Sequence, residues 1–163
     1  MLTRPDEINK ISYWAYRLAE AERMGEPQYA VYLANKTLWK QIWEAHNKII
    51  AREIPKDAKV ADMGCGLGRV SELFENYTGV DFSPAFIEKA KTLYPNKTFI
   101  IAKLEELPFK NKEFDWAICI SIRKMVQGKS SPEHWLAMEK EIKRVAQKVL
   151  ILEYINPQEY EIL

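Results

Sequence analysis

Apolar residues recur at helical spacing over 5–24 and again over 27–52. Ile8, Ile11, Tyr13, Trp14 and Leu18 mark the first stripe, and Val31, Leu38, Ile42 and Ile49 the second. Gly25-Glu26-Pro27 separates the two, so the pattern predicts a pair of helices. Past Ile54-Pro55-Lys56-Asp57 the texture changes. Short β-branched and aliphatic runs predict strands at 59–63, 78–81, 98–102, 115–122 and 149–155. Ser83-Pro84 and Ser131-Pro132 each set a capping hydroxyl before a proline at the first helical position, predicting helices over 84–94 and 132–147. Val70, Leu73 and Phe74 predict one more amphipathic helix after residue 68. Strand alternating with helix implies an α/β fold: a mostly parallel sheet of about five strands, helices on both faces, preceded by two N-terminal helices.

The 163 residues fit a single domain, with 1–54 as a helical cap and 55–163 as the α/β core. No apolar run approaches the roughly 20 residues that cross a bilayer. The first residues lack the basic-then-apolar order of a secretory leader, so the expected setting is cytoplasmic. Cys65 and Cys119, with His46 and His134, make neither a disulfide framework nor a ligand cluster, and no metal is expected. A net charge of +1 gives no general attraction to nucleic acid. Lys140, Lys143, Arg144 and Lys148 share one predicted helix, but Glu139 and Glu141 interleave with them, as on a solvated face. Gly128-Lys129-Ser130 looks like the end of a phosphate-binding loop, but Arg123 stands where the first glycine belongs, so the segment reads as an ordinary loop.

The candidate chemistry lies in Asp62-Met63-Gly64-Cys65-Gly66-Leu67-Gly68, where a predicted strand runs into alternating glycines. Glycine lets the backbone approach a ligand closely and adopt positive φ. A helix following such a loop offers unpaired N–H groups and a positive dipole end to an anionic group. The next strand ends in Gly79-Val80-Asp81-Phe82, placing the Asp81 carboxylate where a ribose diol is bound in sheets of this kind. The third glycine of a dinucleotide fingerprint would fall at Arg69, which disfavours a nicotinamide oxidoreductase.

These two segments resemble the first two motifs of class I, Rossmann-like, S-adenosylmethionine-dependent methyltransferases. Leu104-Glu105-Glu106-Leu107-Pro108-Phe109 and Phe114-Asp115-Trp116-Ala117-Ile118 resemble the family's later segments in the same order. The resemblance implies S-adenosylmethionine as cofactor, S-adenosylhomocysteine as product, and methyl transfer to an acceptor it does not identify, a small molecule being favoured over protein or RNA. It implies that the backbone of Gly64, Cys65, Gly66 and Gly68 lies against the methionine part and that Asp62 stiffens the loop and orients the amino group. Asp81 would hold the ribose hydroxyls, and Phe82 would pack on adenine. The family's acid for the adenine amino group is replaced here by Lys103, leaving Leu104 through its backbone and Glu105 through its side chain to serve adenine, Glu105 being equally readable as a solvated loop charge.

Ligands in open parallel sheets sit beyond the carboxyl ends of the strands. That rule sets Ser121, Ile122, Arg123 and Lys124, then Glu153, Tyr154 and Asn156, towards the acceptor, with Ser121 or Ile122 also in a place to touch the cofactor's methionine end. The N-terminal cluster Tyr13, Trp14, Tyr16 and Arg17 offers an aromatic lid over the opening and a cation for the cofactor carboxylate, but aromatics at helical spacing more often form core or interface, and that reading is the stronger one. No side chain declares itself as a catalytic base. Ser121-Ile122-Arg123-Lys124 stands where amino-methylating nucleic-acid enzymes carry their Asn/Asp-Pro-Pro-aromatic motif, so nucleic acid is not supported as acceptor. The family's terminal strand hairpin has no clear counterpart, since residues 157–163 supply at most one short strand. An exposed fifth strand would then invite a homodimer through the sheet edge, and a non-catalytic cofactor-binding accessory protein is the alternative reading.

Overall fold

The computed structural model describes residues 11–30, 36–129, 131–153 and 159–163. Two helices come first, α1 (Ile11–Arg23) and α2 (Lys36–Glu53), with one 3-10 turn at Pro27–Tyr29 between them. The predicted second helix therefore starts later than 27. Residues 5–10 and 31–35, also assigned to helix above, lie outside the described residues.

The α/β part then runs β1 (Lys59–Met63), β2 (Asn76–Asp81), α3 (Pro84–Leu93), β3 (Thr98–Ile101), β4 (Phe114–Ile120), α4 (Arg123–Lys129), α5 (Pro132–Val145), β5 (Ala146–Leu152) and β6 (Tyr160–Ile162). Both predicted proline-led caps form. Ser83 Oγ accepts from the Phe86 N–H at 3.4 Å and Ser131 Oγ from the His134 N–H at 3.3 Å. Residues 123–129 are helical rather than the expected loop.

The sheet order is β3-β2-β1-β4-β5-β6, parallel throughout except for β6, which runs antiparallel to β5. Strand order reverses between β1 and β4, the place where open α/β sheets bind ligands beyond their carboxyl ends. Both faces are covered, as continuous burial along β1, β4 and β5 requires. Ile49 and Ile50 of α2, and Ile54 just past its end, pack with Val60, Ile118 and Leu150. On the other face Trp135, Ile142 and Val145 of α5 pack with Met63, Cys119 and Ile151. A third cluster joins Tyr13, Trp14 and Leu18 of α1 to Leu67 and Phe86, which draws α1 over the glycine loop. Among the described residues no helix is long and apolar enough to cross a membrane.

Two expectations are corrected here. No α-helix follows the glycine loop: residues 64–70 are turns, and only the 3-10 turn Ser71–Leu73 precedes β2. The reason is length. Asn76 is level with Lys59 in the register, so the chain must return the whole length of β1, about 17 Å at strand rise. The seven residues 69–75 would span only about 10 Å as a helix. The second correction concerns the sheet edge. β5 is flanked by β4 and β6, and Val149 and Leu163 exchange both backbone hydrogen bonds, at 3.0 and 2.9 Å. The exposed fifth strand on which the homodimer expectation rested is therefore covered, and the outer strands are β3 and β6.

Close approach at Gly79 ties the loop to the sheet. A Cβ there would lie 2.7 Å from Phe99 Cδ1 and 2.8 Å from Cys65 Sγ, and Phe99 is itself wedged edge-on against Tyr77. Gly79→Ala is expected to lower stability by about 1–3 kcal/mol through overpacking. Combining it with Phe99→Leu should cost less than the sum of the two single changes. Urea denaturation of the four proteins checks this, and simple additivity would show that Phe99 is not the obstruction.

Candidate cofactor site

Glycines shape the crossing from β1 to β2. Gly64, Gly66 and Gly68 adopt φ of 72°, 54° and 75°, a left-handed conformation costly for other residues. The loop is fastened to β2, because the N–H groups of Gly64 and Cys65 both donate to the Val80 carbonyl, at 2.8 and 2.9 Å. Gly66 N–H donates to Asp81 Oδ2 at 2.9 Å, while Ser83 N–H donates to Asp81 Oδ1 at the same distance. Asp81 thus holds the loop on one oxygen and the entry to α3 on the other. Burial pushes its carboxyl up to about 6, against the lowering effect of the Ser83, Gly66 and Phe82 N–H groups.

Asp62, on β1, is likewise buried, and its Oδ2 accepts from the Tyr77 hydroxyl at 2.8 Å. Burial raises it to about 6, opposed by that hydrogen bond and by the nearby Arg69 charge. The Cys65 thiol is also pushed up by burial, which removes it as a nucleophile despite its place in the loop.

These groups open onto a cavity of about 350 Å³ at the carboxyl ends of the strands. Asp62, Gly64, Cys65, Gly66, Asp81 and Phe82 line it, as do Lys103, Leu104, Glu105, Ser121 and Ile122. The resemblance-based set is therefore brought together, with one exception. Gly68 sits behind the loop, where a Cβ would lie 2.7 Å from the Phe99 ring. Glu105 is fixed rather than loosely solvated, its Oε1 lying 2.5 Å from His134 Nε2. Ser121, at the end of β4, carries the positive φ of 60° that lets the chain turn out of the strand.

Fewer of the acceptor-side residues reach the cavity. Trp14 lines the cavity, but Tyr13 is buried edge-on against it. Arg17 turns away, its Nε donating to the Ala30 carbonyl at 3.1 Å. Arg123 is committed to Glu153 at 3.0 Å and Glu161 at 2.5 Å, both outside the cavity lining. Tyr154 and Asn156 lie outside the described residues.

The structure adds residues that the sequence reading missed. Trp39 and Trp43, one turn apart on α2, wall the cavity, and the Arg69 guanidinium lies 5.9 and 5.4 Å from their ring centroids. Arg69 Nη2 is 2.9 Å from His46 Nδ1, and His46 Nε2 is 3.2 Å from the Glu153 carbonyl. The aromatic pair at helical spacing was a visible signal. The arginine's position was not, because it depends on the missing helix.

A sequence profile described as a methyltransferase domain matches residues 61–149. An uncharacterized protein of Methanocaldococcus jannaschii is 40% identical over 114 residues, 66% of this chain and 44% of that protein. The ubiquinone/menaquinone biosynthesis C-methyltransferase of Campylobacter jejuni is 28% identical over 102 residues, 55% of this chain and 43% of that enzyme. Among solved structures, the PH0226 protein of Pyrococcus horikoshii superposes with a TM-score of 0.63 at 28% identity, covering 71% of this chain and 57% of that one. The chain thus spans less than half the length of these two curated relatives.

The two raised carboxyls set a pH dependence. Each has a folded-state pKa of about 6 against an ordinary 3.8, so folding takes up protons between those values. The cost of their burial is then full above about pH 6 and is relieved as pH falls towards 3.8. His46, lowered to about 4 by burial and by Arg69, works the opposite way: its contribution is present above 6.5 and lost as pH falls towards 4. Asp62→Asn keeps an acceptor for Tyr77 and removes one buried charge. It should stabilise the ligand-free protein by about 1–3 kcal/mol near pH 8, with the gain vanishing by about pH 4. Denaturant titrations at the two pH values test this, and a pH-independent difference would contradict it.

Proposed function

The chain belongs to the methyltransferase-domain family, whose methyl donor is S-adenosylmethionine, and from that premise we propose that it transfers this methyl group to a small-molecule acceptor. The observation that carries the reading is Asp81. It is a buried carboxylate at the end of β2, pinning a glycine loop with one lone pair on each oxygen and keeping others for hydroxyl donors. A ribose diol suits that geometry. The remaining lining fits the rest of the cofactor, since Phe82 and Leu104 offer apolar surface for adenine and Glu105 an acceptor for its amino group. Gly64 and Gly66 let the backbone lie against the methionine part.

When bound, the sulfonium supplies a methyl carbon that is already activated, so no protein nucleophile is needed. What the chain would contribute is alignment and dryness: the cavity walls would hold an acceptor against the bound donor and displace water. Ser121 and Ile122 stand at the switch between β1 and β4 where that approach is made. Trp14 from α1 and Trp39 and Trp43 from α2 wall the opening. An opening enclosed by three indole rings favours a small, largely apolar acceptor over a protein or RNA surface.

Calorimetry should show S-adenosylmethionine and S-adenosylhomocysteine binding at about micromolar levels, with Asp81→Ala weakening both by about 1.5–3 kcal/mol. Labelled methyl should then appear in the small-metabolite fraction of a cell extract. Absence of binding rejects the reading altogether, and binding without transfer to any acceptor class replaces the enzyme by an accessory protein.

A further inference from the structure

The helix end expected to receive an anionic group after the glycine loop does not exist in this chain, and Arg69 stands in its place. We propose that Arg69 receives the carboxylate of the cofactor's methionine part, opposite Asp62, which takes the ammonium. This assignment rests on the cofactor reading above.

Several observations converge on it. Arg69 follows the last loop glycine directly and lines the cavity together with Asp62, Gly64 and Gly66. Its guanidinium is oriented from two sides, stacked against Trp43 and Trp39 and hydrogen-bonded through Nη2 to His46 Nδ1. The histidine is read as neutral, with Nε2–H donating to the Glu153 carbonyl and Nδ1 left to accept. With that side satisfied, Arg69 Nη1 is buried and has no hydrogen-bond partner among the described residues. A guanidinium N–H withdrawn from water without an acceptor is costly, and a ligand carboxylate removes the cost.

Two other cations among the described residues near the opening are already committed: Arg17 is turned to Ala30, and Arg123 is paired with Glu153 and Glu161. Lys103 lines the cavity from beyond β3. Asp62 lies near enough for its charge and that of Arg69 to influence each other, yet it does not bond to Nη1. One buried anion and one buried cation beside the same loop match the two charges of an α-amino acid.

The test compares ligands that differ only in that amino-acid part. Arg69→Met should weaken S-adenosylhomocysteine about 10- to 100-fold by calorimetry. Binding of 5′-methylthioadenosine, which keeps the adenosine and thioether but has no amino-acid group, should stay within about twofold. Equal losses for both ligands, or no loss for either, overturn the assignment. A second measurement needs no variant: the decarboxylated analogue of S-adenosylhomocysteine, which retains the amine, should bind the unaltered protein at least about 10-fold more weakly than the parent. Equal affinity there also overturns it. If the unaltered protein binds none of these ligands, the cofactor reading fails and this assignment falls with it; binding of 5′-methylthioadenosine with indifference to the carboxylate sinks the assignment alone.

Discussion

A carboxylate buried at the end of β2 must be satisfied from the backbone, and much of the site's shape follows from that requirement. Asp81 accepts from Gly66 on one side and from Ser83 on the other. Only an acceptor-only group can do both, since the amide of an asparagine would bring an NH₂ against one of the two N–H groups. Meeting it fixes how far the loop folds back over β2, which in turn demands positive φ at Gly66. It also fixes where α3 begins, because Ser83 both donates to Asp81 and caps the helix. Loop, strand end and helix start are thus held by one side chain, and the cavity opens beside it.

The site holds more charge than its burial favours. Asp62 and Asp81 are both raised by desolvation, and Arg69 is lowered to about 10 by the same cause. Without ligand these groups cost stability, and the surrounding core must offset that cost. On the proposed reading, groups that are to take a zwitterion and a diol in a dry pocket would have to be desolvated before the ligand arrives. The conflict between local stability and binding is therefore expected at this place rather than elsewhere in the sheet.

What could be read from the sequence was what depends on neighbours in the chain. The proline-led caps at Ser83 and Ser131, the apolar run of β1 and the glycine spacing are local signals, and they located the strands and most of the cavity lining. The misses depend on distance in space. Val70, Leu73 and Phe74 have helical spacing, but the register of β2 against β1 leaves too little chain for a helix to make the return. The one short strand that residues 157–163 could supply does form as β6, at a place that three residues cannot announce by periodicity, because β5 offers it a partner. Arg17 was a reasonable cation for the opening by position along α1, yet its side chain turns to Ala30. Arg69, three residues after Gly66, was legible as a departure from a dinucleotide fingerprint and not as a wall of the site.

The short return from β1 to β2 also changes what the loop is joined to. A helix there would have satisfied its own backbone and presented its end to the ligand. With turns instead, the loop's next charged side chain reaches across to α2, where His46 receives it, and His46 in turn reaches the carbonyl of Glu153 at the end of β5. The Glu153 carboxylate holds Arg123 at the start of α4, and Arg123 holds Glu161 on β6. A single polar path thus runs from the glycine loop to the far side of the switch point, through a histidine that must stay neutral to accept from Arg69. Burial and the arginine's own charge keep it neutral down to about pH 4, so the path is maintained across the physiological range. In this chain the arginine that follows the glycine loop is thereby tied, through α2, to the ends of β5 and β6 and the start of α4.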